Sequence, residues 1–196
     1  SGFLGDNFLS SVFAPAANGL LQALHGGRQG LGTIVVFAAG NEGASGQNVN
    51  YHSFQNHRGV VSVAALDSAG NVASFSTPGA ALLVAAPGVN IQTTDRVGAA
   101  GYNSTNAVTL SGTSFAAPLV SGVAALMLEA NPALGWRDVQ EILASSAVLS
   151  GGSGAWDLNG ASNWNGGAMH VGHAFGFGLV DAMAAVRMAE SWRAQS

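Results

Sequence analysis

Two short stretches hold residue types that can do chemistry together. Phe37-Ala38-Ala39-Gly40-Asn41-Glu42-Gly43 closes an apolar, β-branched run. Ser111-Gly112-Thr113-Ser114-Phe115-Ala116-Ala117-Pro118 opens a longer apolar one. Acyl transfer needs a nucleophile and a hydrogen-bond donor aimed at the charge that develops on the attacked carbonyl oxygen. Ser114 offers a hydroxyl for the first task. The Asn41 amide, with the Ser114 backbone N–H, offers donors for the second. Such donors accelerate a reaction because they meet a charge that exists only in the transition state. Gly-Thr-Ser alone is a weak signal, since most serines before helices are simple N-caps; its weight comes from the second stretch.

Positioning these groups falls to strands and helices that the pattern predicts. The fourteen residues from Phe115 to Leu128 include one polar side chain, Ser121. That run predicts a central helix over Thr113–Ala130, ended by Asn131-Pro132, with Pro118 early enough to cost few intrahelical bonds. A glycine turn feeding such a helix leaves its first N–H groups unpartnered and favours negative charge there. Gly122, Ala124 and Ala125 are expected to let neighbours approach closely. Thr33–Ala38 predicts a strand buried on both faces and Val60–Ala65 a second. Asn71–Ser76 and Ala81–Ala85 read as two more, with polar loops over Gly40–Asn50 and Gly151–Gly167. Gly98–Leu110 reads as a loop or short strand, and its Asn103-Ser104-Thr105 matches a glycosylation sequon but reads as plain loop. Further helices are predicted within Pro15–Gly26, over Trp136–Ser145 and over Leu179–Trp192. Buried runs alternating with helices predict a three-layer α/β fold, a doubly wound, mostly parallel sheet flanked by helices. Ligands of such sheets sit at the carboxyl ends of the strands, which puts Ala38–Asn41 at a site edge.

Composition narrows the classes. The 196 residues suit one domain; only 8% are charged, there are 28 glycines, and the formal charge of −4 gives no case for nucleic acid. All six basic residues are arginines, and cysteine is absent, which excludes disulfides, thiolate catalysis and cysteine zinc sites. No uninterrupted apolar run reaches about 18 residues, so no membrane span is expected. The sequence opens on Ser1 without a signal-peptide pattern, so targeting information is expected upstream.

The joint pattern resembles the C-terminal two-thirds of a subtilisin-like serine protease catalytic domain, in its kexin and furin branch. The resemblance is carried by Phe37-Ala38-Ala39-Gly40-Asn41, Asn50-Tyr51 with Asn56, and Gly112-Thr113-Ser114. It continues through Leu128-Glu129-Ala130-Asn131-Pro132, Trp136-Arg137-Asp138-Val139-Gln140, Phe175-Gly176-Phe177-Gly178 and Asp181-Ala182. Order and spacing agree from about Gly30 to Trp192, so residues 1–196 are expected to be the C-terminal part of that domain. The resemblance implies that Ser114 is the nucleophile and Asn41 the side-chain oxyanion donor. It implies that Ala38, Ala39 and Gly40 wall the primary specificity pocket, with His52 and Thr113 beside the substrate. Ser1 and Gly2 resemble the strand that pairs with an extended substrate.

Departures from that family carry equal weight. Its triad order is Asp, His, Ser, and nothing before Ser114 resembles the Asp or His motif. Of the five histidines, His25 reads as surface, His52 and His57 follow the Asn41 loop, and His170 and His173 follow Ser114, His173 as a structural residue. The general base and its Asp are expected from an N-terminal part of the same domain, and this chain alone is expected to be inactive. Where furin and kexin carry acids for basic substrates this chain has His52 and, near its start, Gly5, with Asp6 as a neighbouring match. Gln47 and Thr77 stand where a calcium site uses acids. Neither dibasic specificity nor that calcium site is therefore expected; Glu42 is a candidate substitute acid at the pocket, against the commoner reading of a solvated loop glutamate. No cofactor is expected in this chain; calcium is expected only in the N-terminal part. The substrate implied is a polypeptide and the location secreted or periplasmic. The alternative is a non-catalytic relative that uses the same cleft to bind peptides or as a scaffold. An esterase of the α/β-hydrolase kind is disfavoured because Gly112–Ala116 is not Gly-x-Ser-x-Gly.

Overall fold

The computed structural model describes residues 7–103, 105–151, 156–160 and 169–195. Its centre is a parallel sheet of three strands in the order β1 (Val35–Ala38), β2 (Val60–Leu66), β3 (Leu82–Pro87). Val35 pairs with Val60 and Ala38 with Val63 across β1 and β2; Val63 pairs with Val84 and Leu66 with Pro87 across β2 and β3. Every residue of β2 is buried, which is why that strand reads as a continuous apolar run. β1 is only half-buried along its length, against the expectation of burial on both faces. It has a partner on one side only among the described residues, so its apolar side chains meet fewer neighbours.

Helices α2 (Thr113–Ala130), α3 (Trp136–Ser146) and α4 (Ala182–Ser191) cover one face. Ala116, Val120, Val123 and Met127 of α2 pack with Val139, Ile142 and Leu143 of α3, with Ala185 and Ala189 of α4, and with Val61, Val63 and Val84 of the sheet. The other face is covered by α1 (Ala14–Gly26), whose Leu20 and Leu24 meet Val60, and by Val49 and Phe175 against Ala64, Leu66 and Leu82. The architecture is thus three-layer α/β, with helices on both sides of a parallel sheet, as the alternation of buried runs and helices predicts.

Local signals explain the helix ends. Pro15 stands at the start of α1, where its missing N–H removes no intrahelical bond. Asp181 caps α4 by accepting from the Ala184 N–H at 2.9 Å. Asp138, 1% exposed, accepts from the Gly135 N–H at 2.7 Å and from the Trp192 indole N–H and the Gln195 N–H, both at 3.0 Å. Those bonds fasten the end of the chain to α3.

Several sequence expectations need correction. Asn71–Ser76 forms no strand: Ser76 Oγ accepts from the Ala65 N–H at 3.1 Å, and Val72 makes only a single bridge to Leu66. The stretch instead lies along the end of β2 through two backbone bonds, Asp67 N–H to Asn71 O and Ala73 N–H to Ala65 O, both at 2.9 Å, and then turns. Of the two readings of Gly98–Leu110, the short strand is present as β5 (Ala107–Leu110), antiparallel to β4 (Ile91–Thr94), for which the sequence predicts no element. A second short pair, β6 (Asp157–Leu158) with β7 (His170–Val171), interrupts the predicted Gly151–Gly167 loop, of which residues 152–155 and 161–167 lie outside the described set. Asn103 is tied into its own turn, donating to Ala107 O at 2.8 Å and accepting from Thr105. α2 is, by length and composition, long and apolar enough to cross a membrane, which the absence of an uninterrupted apolar run did not anticipate. Its contacts with all three strands and with α4 give it a core helix's place in the fold. Ala124 is buried as expected, but a Cβ built on Gly122 would meet nothing within 4 Å, and Ala125 is exposed.

Candidate active site

β1 delivers the chain to Ala39, which is buried and donates its N–H to Val63 O at 3.0 Å. The next residue turns away from the sheet through Gly40, at φ +103°. A Cβ there would lie 2.9 Å from Glu42 Oε2 and 3.0 Å from Thr77 Oγ1, so both conformation and space call for glycine. The loop is then clamped to residues 75–77: Thr77 N–H donates to Gly40 O at 3.0 Å, Glu42 N–H to Thr77 Oγ1 at 3.1 Å, and Gly43 N–H to Phe75 O at 2.9 Å. Glu42 Oε2 accepts from the Asn41 N–H at 2.8 Å. Asn41 therefore sits on a backbone fixed from both sides.

The start of α2 is tied to the carboxyl end of β3, because Gly112 N–H donates to Gly88 O at 2.8 Å. Thr113 is 0% exposed and joins the two stretches. Its N–H and its Oγ1–H each donate to Asn41 Oδ1 at 2.9 Å, and Oγ1 accepts from the Gly40 N–H at 3.2 Å. The carboxamide oxygen of Asn41 thus satisfies one of the orphan donors of the helix start. An asparagine amide has two donors on Nδ2, and with Oδ1 occupied they remain available beside the Gly112 turn. A Cβ on Gly112 would lie 3.5 Å from that Nδ2. Ser114 follows, exposed, with its N–H in the first turn, where the helix supplies no acceptor.

These residues share one cavity of about 460 Å³. Ala38, Ala39, Gly40, Asn41, His52, Thr113 and Ser114 all line it, so the structure brings together every described residue that the sequence reading gives to catalysis or substrate binding. Ser1 and Gly2, with Gly5 and Asp6, lie outside the described residues. Phe13, Phe37, Phe54 and Gln55 also line the cavity. Phe54 stacks on Phe37 with ring centroids 5.0 Å apart and meets Phe8 edge-on at 4.7 Å. Sequence reasoning missed Phe13, Phe54 and Gln55 because a single aromatic or amide in a turn has no periodic signature. Glu42 is the one acid on the lining and is exposed, its carboxylate turned to its own neighbour's N–H.

The remaining histidines lie elsewhere. His25 is exposed at the end of α1. His57 accepts the Gly59 N–H on Nδ1 at 3.0 Å, and burial, with the Arg58 charge beside it, holds its imidazole below the ordinary histidine range. His170 meets Trp156 edge-on at 5.1 Å, and His173 is exposed, its carbonyl accepting the Gly79 N–H. The positions read for calcium do not fit that ion: Thr77 is buried with its hydroxyl engaged by the Glu42 N–H, and Gln47 brings no charge. Among the described residues no three His, Asp or Glu side chains gather as a metal site would require.

Comparison with known proteins identifies the family. The model of the Subtilase family, Peptidase_S8, matches residues 5–178. Proprotein convertase subtilisin/kexin type 7 of Mus musculus is 37% identical over 192 residues, 93% of this chain and 24% of that protein. Kexin of Saccharomyces cerevisiae is 34% identical over 88% of this chain and 20% of its own length, and furin-like protease 1 of Drosophila melanogaster, isoform 1-CRR, 31% identical over 91% and 16%. The chain thus spans about a quarter or less of these curated relatives. Among solved structures, a serine protease of Aeromonas sobria superposes with a TM-score of 0.83 at 22% identity, over 100% of this chain and 43% of that one. A protease of Pseudoalteromonas arctica does so at 0.65 with 31% identity, over 92% and 47%. The chain belongs to the subtilase family.

Proposed function

We propose that this chain is the C-terminal part of a serine endopeptidase catalytic domain, with Ser114 as nucleophile and Asn41 as oxyanion donor. Ser114 Oγ adds to a peptide carbonyl carbon as its proton passes to a histidine supplied upstream. The C–N bond then breaks, the amine leaves with that proton, and water hydrolyses the ester left on Ser114. Asn41 Nδ2–H and the Ser114 N–H hold the oxyanion formed at each addition. The single observation that carries this reading is the pair of bonds from Thr113 to Asn41 Oδ1. They fix the amide beside the exposed hydroxyl at the positive end of α2.

The histidine and its aspartate belong, in this reading, to an N-terminal part of the same domain. Two features support such a partner. Among the described residues β1 is paired along one edge only, and α2 leaves Pro118, Leu119, Gly122, Ala125 and Leu126 exposed along one side. An unpaired strand edge and a bare apolar helix face are surfaces that folded proteins cover. Calcium, if the domain uses it, belongs to that same N-terminal part, and the protein is placed outside the cytoplasm, secreted or periplasmic, on family resemblance.

For the residue before the scissile bond, the cavity offers Phe37, Phe54 and small backbone walls, with Glu42 as the one carboxylate and already hydrogen-bonded. That lining matches apolar and aromatic side chains better than paired basic ones. The test is peptide-library cleavage by the full-length protein and its Ser114→Ala and Asn41→Ala variants. Cleavage abolished by the first, slowed in kcat by the second, and without a dominant Lys-Arg requirement is the expected result. Full peptidase activity in Ser114→Ala would overturn the assignment, and a Lys-Arg profile would overturn the specificity.

A further inference from the structure

A second cavity, of about 300 Å³, lies at the opposite end of the sheet from Asn41 and Ser114. Arg58 stands two residues before β2 begins and Leu83 is the second residue of β3, so the cavity opens at the amino ends of the parallel strands. The Asn41 turn and the α2 start lie at their carboxyl ends. The Phe177 N–H donates to Leu83 O at 2.7 Å and brings that aromatic ring to the same wall. Trp136 and Ala144 of α3, with Met169, complete the apolar lining.

What sets this cavity apart is its charge. Arg58 and Arg137 both line it, and neither engages a carboxylate or a hydrogen-bond acceptor among the described residues. Arg137 instead lies over the Trp136 ring at 4.4 Å from the centroid. Stacking of this kind holds a guanidinium's plane while leaving its N–H edge free to pair with a carboxylate. Glu141 also lines the cavity, and burial, and then the charge of Asp138, push its carboxyl above the ordinary range. The amide of Gln140 adds a neutral donor and acceptor at the same wall.

We propose that this cavity is a binding site for a small amphipathic carboxylate, an aromatic or short aliphatic tail against Trp136, Leu83 and Phe177 with its carboxylate on Arg58 and Arg137. At about 30 Å³ for each non-hydrogen atom, as in liquid water, the volume holds about ten such atoms, the size of a phenylalkanoate. It stands at the lower end of the range for small-molecule sites and has their composition, apolar walls with a few convergent polar groups. The site is independent of the peptidase reading, since none of its residues lines the Ser114 cavity.

The test is a fluorine NMR titration of the full-length protein with 4-fluorophenylacetate, with 2-(4-fluorophenyl)ethanol as the uncharged control. Saturable binding is expected, weakened at least tenfold in the alcohol and in Arg137→Gln, as the loss of one charge-assisted hydrogen bond implies. Arg58→Gln, on an exposed side chain, is expected to act in the same direction without disturbing the core. Ala144→Phe, which fills the cavity, is expected to abolish binding in a protein whose melting curve stays cooperative. If Ala144→Phe does not fold, the arginine variants decide. No saturable binding up to about 10 mM, equal affinity for the alcohol, or affinity unchanged in both arginine variants would each overturn the proposal.

Discussion

Replacing Thr113 by valine keeps the shape of a fully buried side chain and deletes only its hydroxyl. That hydroxyl accepts from the Gly40 N–H at 3.2 Å and donates to Asn41 Oδ1 at 2.9 Å, while the Thr113 N–H keeps its own bond to the same oxygen. Two consequences follow, of different kinds. The Gly40 N–H loses its partner in a partly buried loop, which costs about 1–3 kcal/mol of stability. Asn41 is left held by one bond instead of two, so its amide is less well placed on the oxyanion. A neutral hydrogen bond is worth about 1 kcal/mol, and about 1.4 kcal/mol is tenfold in rate. The expected fall in kcat is therefore about fivefold, with KM nearly unchanged because the bond acts through the transition state. Steady-state hydrolysis of a fluorogenic peptide by the full-length protein measures it. Thr113→Ser, which keeps the hydroxyl, should restore kcat, and in an Asn41→Ala background Thr113→Val should cost almost nothing more. An unchanged kcat in Thr113→Val, or the same loss with and without Asn41, would refute the positioning argument.

Other perturbations follow from the same contacts. Asn41→Ala should lower kcat by about 10²–10³ with little change in KM, a magnitude carried over from the oxyanion asparagine of subtilisin itself, a member of this family. Gly40→Ala should destabilise the protein by about 1–2 kcal/mol, read by denaturant midpoint, because its φ of +103° disfavours any side chain and its Cβ would press on Glu42 and Thr77. His57 has a native pKa held below its ordinary 6.5 by burial and by Arg58. The unfolded chain then binds more protons, so stability is full above about 6.5 and falls as pH drops through that lowered native value. His57→Gln should flatten that fall in urea midpoints between about pH 5 and 7.5.

How much of this was legible in the sequence depends on where each element gets its stability. α2 could be read to the residue because an apolar run of its own length is bounded by Gly112 and by Asn131-Pro132. β2 could be read because all its residues are buried, so every position carries the signal. The Asn41 and Ser114 stretches were legible as a pair because glycines and a hydroxyl recur where the backbone turns tightly. What the chain did not reveal is held by tertiary contacts. β4 and β5 are four residues each and gain their pairing from one another across a twelve-residue loop, a distance at which no local pattern speaks. Asn71–Ser76 has the alternation of a strand, yet Ser76 spends its hydroxyl on Ala65 and the backbone turns. Half-burial of β1 reflects its pairing on one side only among the described residues, which no residue in it encodes. The aromatic part of the Ser114 cavity is assembled from Phe13, Phe37 and Phe54, on a helix cap, a strand and a loop.

The most direct measurement is labelling of the full-length protein with a fluorophosphonate, followed by peptide mapping of the modified residue. The account predicts a single adduct on Ser114, absent in Ser114→Ala and formed far more slowly in Asn41→Ala. A protein that hydrolyses peptides while its label maps to another residue, or labels at Ser114 equally fast without Asn41, would contradict it.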